Sequence, residues 1–320
     1  MSFPRAAAWL AAGAIALAAV PFAAGNDYYV NLASQVLIAA IFAMSLNILV
    51  GYGGMTSLGH AAYLGVSAYA TAWLAQRMGM GPLAAGGCAL AITTLLAAFY
   101  GVLALRASGL AFLMITLALG QILWGLAYRW VGVTGGDNGL SGLARPAPFG
   151  WDLGSATAFY YFSLAIFGVA FVAIGLFVGS PFGASLKGAR DQPRRMRALG
   201  YNVWLIRWIS FVVSGFWGGV AGLLYVYYNN FISPHALSLT QSAEALLMVI
   251  AGGPATLLGP LVGAALVIIM KNVVSAYVER WTLLLGAVFV AIVMFLPDGL
   301  VPGAQRLWAR WASRRRRGGP

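Results

Sequence analysis

The sequence predicts an all-α polytopic membrane protein with about eight or nine transmembrane helices plus a re-entrant half-helix, in one domain covering residues 1–320. Three observations carry this. Hydrophobic residues make up 61% of the chain against 8% charged, and mean hydropathy is +0.85, too apolar for a soluble core with a wettable surface. Apolar runs of about 20 residues recur, each long enough at 1.5 Å rise per residue to cross roughly 30 Å of hydrocarbon. Basic residues gather in two places, between Lys187 and Arg197 and in a tail running to Arg317.

The apolar runs fall at residues 6–24, 30–50, 56–76, 83–105, 110–131, 159–179, 204–228, 256–270 and 281–296, and one more piece, 243–251, is too short to cross alone. Lys and Arg collect on the cytoplasmic side, so the loop at 180–203 and the tail at 303–320 are both assigned there. An even number of crossings must separate them, whereas three long runs do. Parity is restored if 243–251 dips in from outside and turns at Gly252-Gly253-Pro254, a re-entrant hairpin that needs protein around its backbone. Counting back puts 132–158 outside and both termini in the cytoplasm. The first run, with Arg5 ahead of it, has a second reading as a signal peptide, although Pro21 and Phe22 suit a small-residue cleavage site poorly. The net charge of +12 then reflects orientation and contact with anionic membrane lipids rather than nucleic acid.

The loop SPFGASLKGARDQPRRMRALGYN (180–202) carries two offset stripes at helical spacing, apolar Leu186, Ala189, Pro193 and Met196 and basic Lys187, Arg190, Arg194 and Arg197. Such a helix is suited to docking another protein; the same charges also serve simply to hold a loop in the cytoplasm. Pro193 suits the first turn of a second short helix capped by Asp191, with Gly200 terminating it.

Two apolar segments are interrupted by glycine, GYGGMTSLGHAA at 51–62 and AGGPATLLGPLVGAA at 251–265. Interrupted helices at matching places in two halves point to a translocation path, because unwound backbone offers N–H and C=O groups to a solute; close packing through small residues is the other reading. Polar residues in the spans are few and therefore informative. The candidate pathway residues are Asn47, Thr56, Ser57, His60, Gln121 and Glu244, with Gly252 and Gly253 shaping the opposite wall. Glu244 equally suits the role of an interfacial carboxylate at a helix start.

No catalytic residue is assigned. The sequence has no GxxxxGK[ST] phosphate loop, its two lysines following Leu186 and Met270, and neither an HExxH nor a GxSxG motif. His60 has no second His or Cys nearby, so a metal site has no support. Cys88 is single, which excludes a disulfide within the chain.

Four stretches together resemble the permease subunits of branched-chain amino acid ABC importers, the LivM type. They are SLNILVGYGGMTSLGHAAYLGVSAY (45–69), GLAFLMITLALGQI (109–122), TGGDNGLSGL (134–143), and the basic loop running into FVVSGFWGGVAGLLY (211–225). The resemblance implies the ABC importer permease fold and a bacterial inner (plasma) membrane location. It implies a complex with a second homologous permease, two ATPase subunits that use ATP as this chain binds no cofactor itself, and a periplasmic substrate-binding protein. It makes the loop the coupling element seated on an ATPase, through Lys187, Arg190, Asp191, Arg194, Arg195, Leu199 and Gly200. Many relatives carry an acidic residue at Lys187 and another near Gln192, so the partner groove here is expected to be more acidic. Urea and short-amide importers share this permease type. An ion-coupled secondary transporter using Glu244 is the rival reading, disfavoured because proton relays usually show several intramembrane ionisable groups.

Overall fold

The computed structural model describes residues 13, 15–22, 25–142, 145, 152–278 and 280–306. The start of the first expected span and the arginine-rich end of the tail lie outside the described residues.

Residues 15–22 form helix α1. Asn26 then caps α2 (Asp27–Asn47), its side chain accepting from the Tyr28 amide. At Ile48–Tyr52 the chain widens into a π-helical turn, a geometry that often marks functional irregularities in helices. The expected span at 56–76 begins late, as α3 (Ala61–Arg77). Its first residues are not helical because their backbone groups are satisfied from elsewhere: the Leu58 amide donates to Thr116 Oγ1 at 3.3 Å and the Ala61 amide to Ser242 Oγ at 3.0 Å. Unwound backbone is tolerated at membrane depth under these conditions.

Next come α4 (Pro82–Ala104), α5 (Leu110–Arg129) and the short α6 (Val131–Thr134). The segment after α6 folds back so that β1 (Leu140–Ser141) pairs antiparallel with β2 (Phe231–Ile232). Gly139 sits at φ +67°, where a side chain would also meet the Ile232 carbonyl, which gives the glycine of TGGDNGLSGL a backbone reason.

Helix α7 (Ala156–Gly179) leads through Ser180, the N-cap, into α8 (Pro181–Asp191). After a bend at Gln192 comes α9 (Pro193–Ala198). The expected Asp191 cap is not formed, because α8 runs through Asp191, whose carboxylate instead accepts from Arg190 Nε at 2.7 Å. Gln192 takes the N-cap position without a side-chain bond. Gly200 does end α9: it lies at φ +87°, and the Tyr201 amide closes back on the Met196 carbonyl, as in a left-handed C-cap.

Helix α10 (Val203–Asn229) and α2 form the centre of the bundle, α10 packing on α3, α4 and α2, and α2 on α12, α7 and α10. Gly215, Gly218, Gly219 and Gly222 line one side of α10 and let Ala97, Tyr63, Thr93 and Leu64 approach. A Cβ on Gly222 would meet the Leu64 carbonyl. Gly222→Val is therefore expected to cost about 1–3 kcal/mol, read as a lower melting temperature of the detergent-solubilised protein.

Helices α11 (Leu239–Gly252) and α12 (Gly259–Asn272) form an antiparallel hairpin whose turn is at the expected Gly252-Gly253-Pro254. Close packing is possible because Gly259 and Gly263 face the backbones of Gly252 and Met248. With 14 residues, α11 is about 21 Å long at 1.5 Å per residue, short of a full crossing. Last come α13 (Trp281–Phe295) and α14 (Leu300–Arg306). Among the described residues six helices are long and apolar enough to cross a membrane, seven if the bent pair Thr282–Phe295 and Leu300–Arg306 is one span. The protein is an all-α polytopic membrane protein.

Candidate functional site

The two glycine-interrupted segments, far apart in sequence, meet at the α8–α9 end of the bundle. Asn47, 2% exposed, holds them together: its Oδ1 accepts from the Ala255 amide at 3.0 Å and its Nδ2 donates to the Thr256 carbonyl at 2.8 Å. Gly51 lies so close to Ala255 that a Cβ there would collide with its backbone. Gly252 and Gly253 are used by the turn itself, Gly253 packing on Pro302 of α14.

This joined pair of breaks is tied to the basic loop. Arg190 Nη1 donates to the Gly51 carbonyl at 2.6 Å, and its aliphatic stem packs over Gly54. The Lys187 ammonium sits 5.4 Å from the centre of the Tyr52 ring, a cation–π distance. On the inward face of α8, Leu186 and Ala189 are fully buried, while Met196 of α9 folds onto Gly188. Arg194, Arg195, Arg197 and Leu199 face outward, Leu199 at 65% exposure. The loop thus has an inner half bonded to the breaks and an outer half with three guanidinium groups and an exposed leucine.

The other candidate residues separate. His60 is completely buried, with Nε2 2.7 Å from Ser45 Oγ. Ser45 Oγ also lies 2.6 Å from the Phe42 carbonyl, so this hydroxyl joins the imidazole to the α2 backbone, the direction of its bond to Nε2 following the His60 tautomer. Ser214 Oγ donates to the Ser45 carbonyl at 2.6 Å, and the imidazole stacks on Phe42. Ser57 is buried close by in sequence. Thr56 is exposed and lines a cavity of about 330 Å³ with Leu110, Leu113 and Arg207, beside the first turns of α5. Gln121 lines another of about 340 Å³ with Trp124, Tyr128, Asp137 and His235, toward the far end of α5.

Glu244 is not a lone carboxylate. Lys271 Nζ lies 3.0 Å from both its oxygens, and the pair lines a cavity of about 240 Å³. Ser45, Ser242 and Gln35 carry no mark in the sequence as members of the polar interior. Serines and glutamines give no periodic signal, and their partners lie on distant segments.

A bundle of apolar helices with buried polar knots, broken helices and an amphipathic helical pair projecting at one end defines a polytopic membrane protein with irregular backbone held inside it. Residues 28–294 match the family described as branched-chain amino acid transport system / permease component, and the chain belongs to that family. It is 27% identical over 301 residues to the high-affinity branched-chain amino acid transport system permease protein LivM of Salmonella typhimurium, covering 85% of this chain and 70% of the relative. To LivM of Escherichia coli it is 28% identical with the same coverage. A shorter match, 30% identical over 83 residues, covers 26% of this chain and 24% of the guanosine ABC transporter permease protein NupQ of Bacillus subtilis. No solved structure matches the chain. The protein is a permease subunit of an ATP-binding cassette importer, a multi-pass membrane protein that works with ATPase and substrate-binding partners.

Proposed function

We propose that this chain, paired with a second homologous permease in a bacterial inner membrane, forms part of the path for branched-chain or related amino acids, driven by two ATPase subunits and supplied by a periplasmic binding protein. The substrate class rests on the names of the LivM relatives. In this reading the chain is one permease domain of eight or nine crossings with the α11–α12 hairpin re-entrant, and both 180–203 and 303–320 are cytoplasmic.

The observation that carries the mechanism is the Arg190–Gly51 bond. It links the element that docks the ATPase to the unwound segment, which Asn47 joins to the α11–α12 turn. Closure of the ATPases on ATP moves α8 and α9, and Arg190 and Lys187 transmit that shift to both breaks at once. Nucleotide thereby biases two arrangements of the bundle. Solute passes along α5, between the Gln121 pocket near one end and the Thr56 pocket near the other. Asn47, Ser57 and His60 act from behind as the frame of the path, since they are buried against protein. Gly252 and Gly253 let that frame turn tightly.

Affinity purification of the tagged chain in mild detergent is expected to recover a second permease and ATPase subunits, with ATPase activity in the eluate. The same complex in proteoliposomes with its binding protein should take up leucine, isoleucine or valine in preference to urea. A lone chain that drives ion-dependent uptake would overturn the proposal.

A further inference from the structure

Helices α2, α3, α10, α11 and α12 and the turn at Pro234–Leu237 line the cavity of about 240 Å³ at the end of the bundle away from α8. Its lining is mixed: Glu244 and Lys271 form their ion pair, Asn272 Nδ2 donates to Gln35 Oε1 at 3.1 Å and to the Ile268 carbonyl at 2.9 Å, and Tyr225, Tyr228 and Gln241 stand beside apolar Ile38, Phe42, Leu64 and Met248. The pair is only partly buried, with side-chain exposure of 8% at Glu244 and 36% at Lys271, and such an ion pair adds little stability. The hairpin is already closed by Gly259 on Gly252 and Gly263 on Met248.

We propose that this cavity holds one zwitterionic amino acid with an aliphatic side chain. Its ammonium meets Glu244, its carboxylate meets Lys271, and its side chain lies against Ile38 and Met248. The solute opens one ion pair and forms two, so no charge is left unpaired in the cavity, the condition that makes buried charge tolerable. Charge-assisted contacts of this kind are the stronger class of hydrogen bond. His235 lines both this cavity and the Gln121 pocket, which places the site beside the proposed route along α5. The inference rests on the amino-acid importer reading and names where this chain holds the solute.

The test is uptake of radiolabelled L-leucine by the full importer carrying the double swap Glu244→Lys with Lys271→Glu. The swap keeps an ion pair between α11 and α12 but exchanges the positions of its charges. Uptake is expected to fall roughly tenfold or more, the loss of about one charge-assisted contact, with the complex recovered in wild-type yield. Uptake within about twofold of wild type, well under that tenfold step, overturns the inference. Should the swap fail to assemble, hydrogen exchange on the wild-type complex decides: L-leucine should protect the α11 start and the α12 end, and N-acetyl-leucine methyl ester, which has neither charge, should not. No protection by L-leucine, or equal protection by both, overturns the site. A wild-type importer that takes up no L-leucine overturns the amino-acid reading, and the site with it; uptake intact in both wild type and swap overturns the site alone.

Discussion

Arg194→Glu combined with Arg195→Glu is expected to abolish uptake while the permease still folds and inserts. Both side chains are exposed on α9, and the ion pairs among the described residues involve Arg190, Lys271 and Arg306 instead. Surface changes away from structural contacts usually shift stability by less than about 0.5 kcal/mol. At an interface the same changes are severe, because like charges brought together cost several kcal/mol. If α9 enters an acidic groove on an ATPase, two charges change sign at the contact, a net shift of four units. The complex then loses its ATPase on purification, or retains it with hydrolysis uncoupled from transport. Measuring uptake and ATPase recovery together checks this, and undiminished uptake would remove α9 from the docking surface. Arg190→Glu is a poorer test, since it also breaks the bond to Gly51.

Helix positions were legible because apolar length is set by the membrane and leaves a direct mark on the sequence. Pro82 and Pro181 occupy the first turns of α4 and α8, where a missing amide proton costs the helix nothing. The start of α3 was less legible. Residues 56–60 are apolar enough to continue a span, yet Thr116 of α5 and Ser242 of α11 satisfy backbone amides at 58 and 61, partners 58 and 181 residues away. Asp191 misled for a local reason: capping depends on where the preceding helix stops, and Arg190 draws the carboxylate into an ion pair instead.

A polar group in an apolar run marks a side chain that needs a partner but not what the partner is. Such groups therefore end in several surroundings: a clasp at Asn47, a buried imidazole at His60, and cavity walls at Thr56, Gln121 and Glu244. Lys271 stood out as one of only two lysines, but its pairing with Glu244 depends on the register of the α11–α12 hairpin. That register is set by small residues at Gly259 and Gly263, and no pattern of charge records it.

Asn47→Leu separates the two roles open to that residue. Leucine is close in shape but offers neither bond, leaving the Ala255 amide and the Thr256 carbonyl without their partner inside protein. Each unsatisfied buried group costs about 1–3 kcal/mol, so the pair costs roughly 2–6 kcal/mol, a large share of the 5–15 kcal/mol typical of a folded domain. Ala255 adds to the sensitivity, because it is held at φ +59°, a conformation that costs about 1–2 kcal/mol for a residue with a Cβ and that the clasp helps to impose. The expected result is a clear fall in melting temperature in detergent and reduced assembly, with uptake lost in proportion. A variant that melts like wild type but transports nothing would instead put Asn47 in contact with the solute. Asn47→Asp sharpens the comparison: the carboxylate can still accept from the Ala255 amide but faces the Thr256 carbonyl without a proton to give. A clasp therefore predicts that both variants destabilise. Contact with solute predicts that thermal stability survives in both and that the loss appears in transport alone.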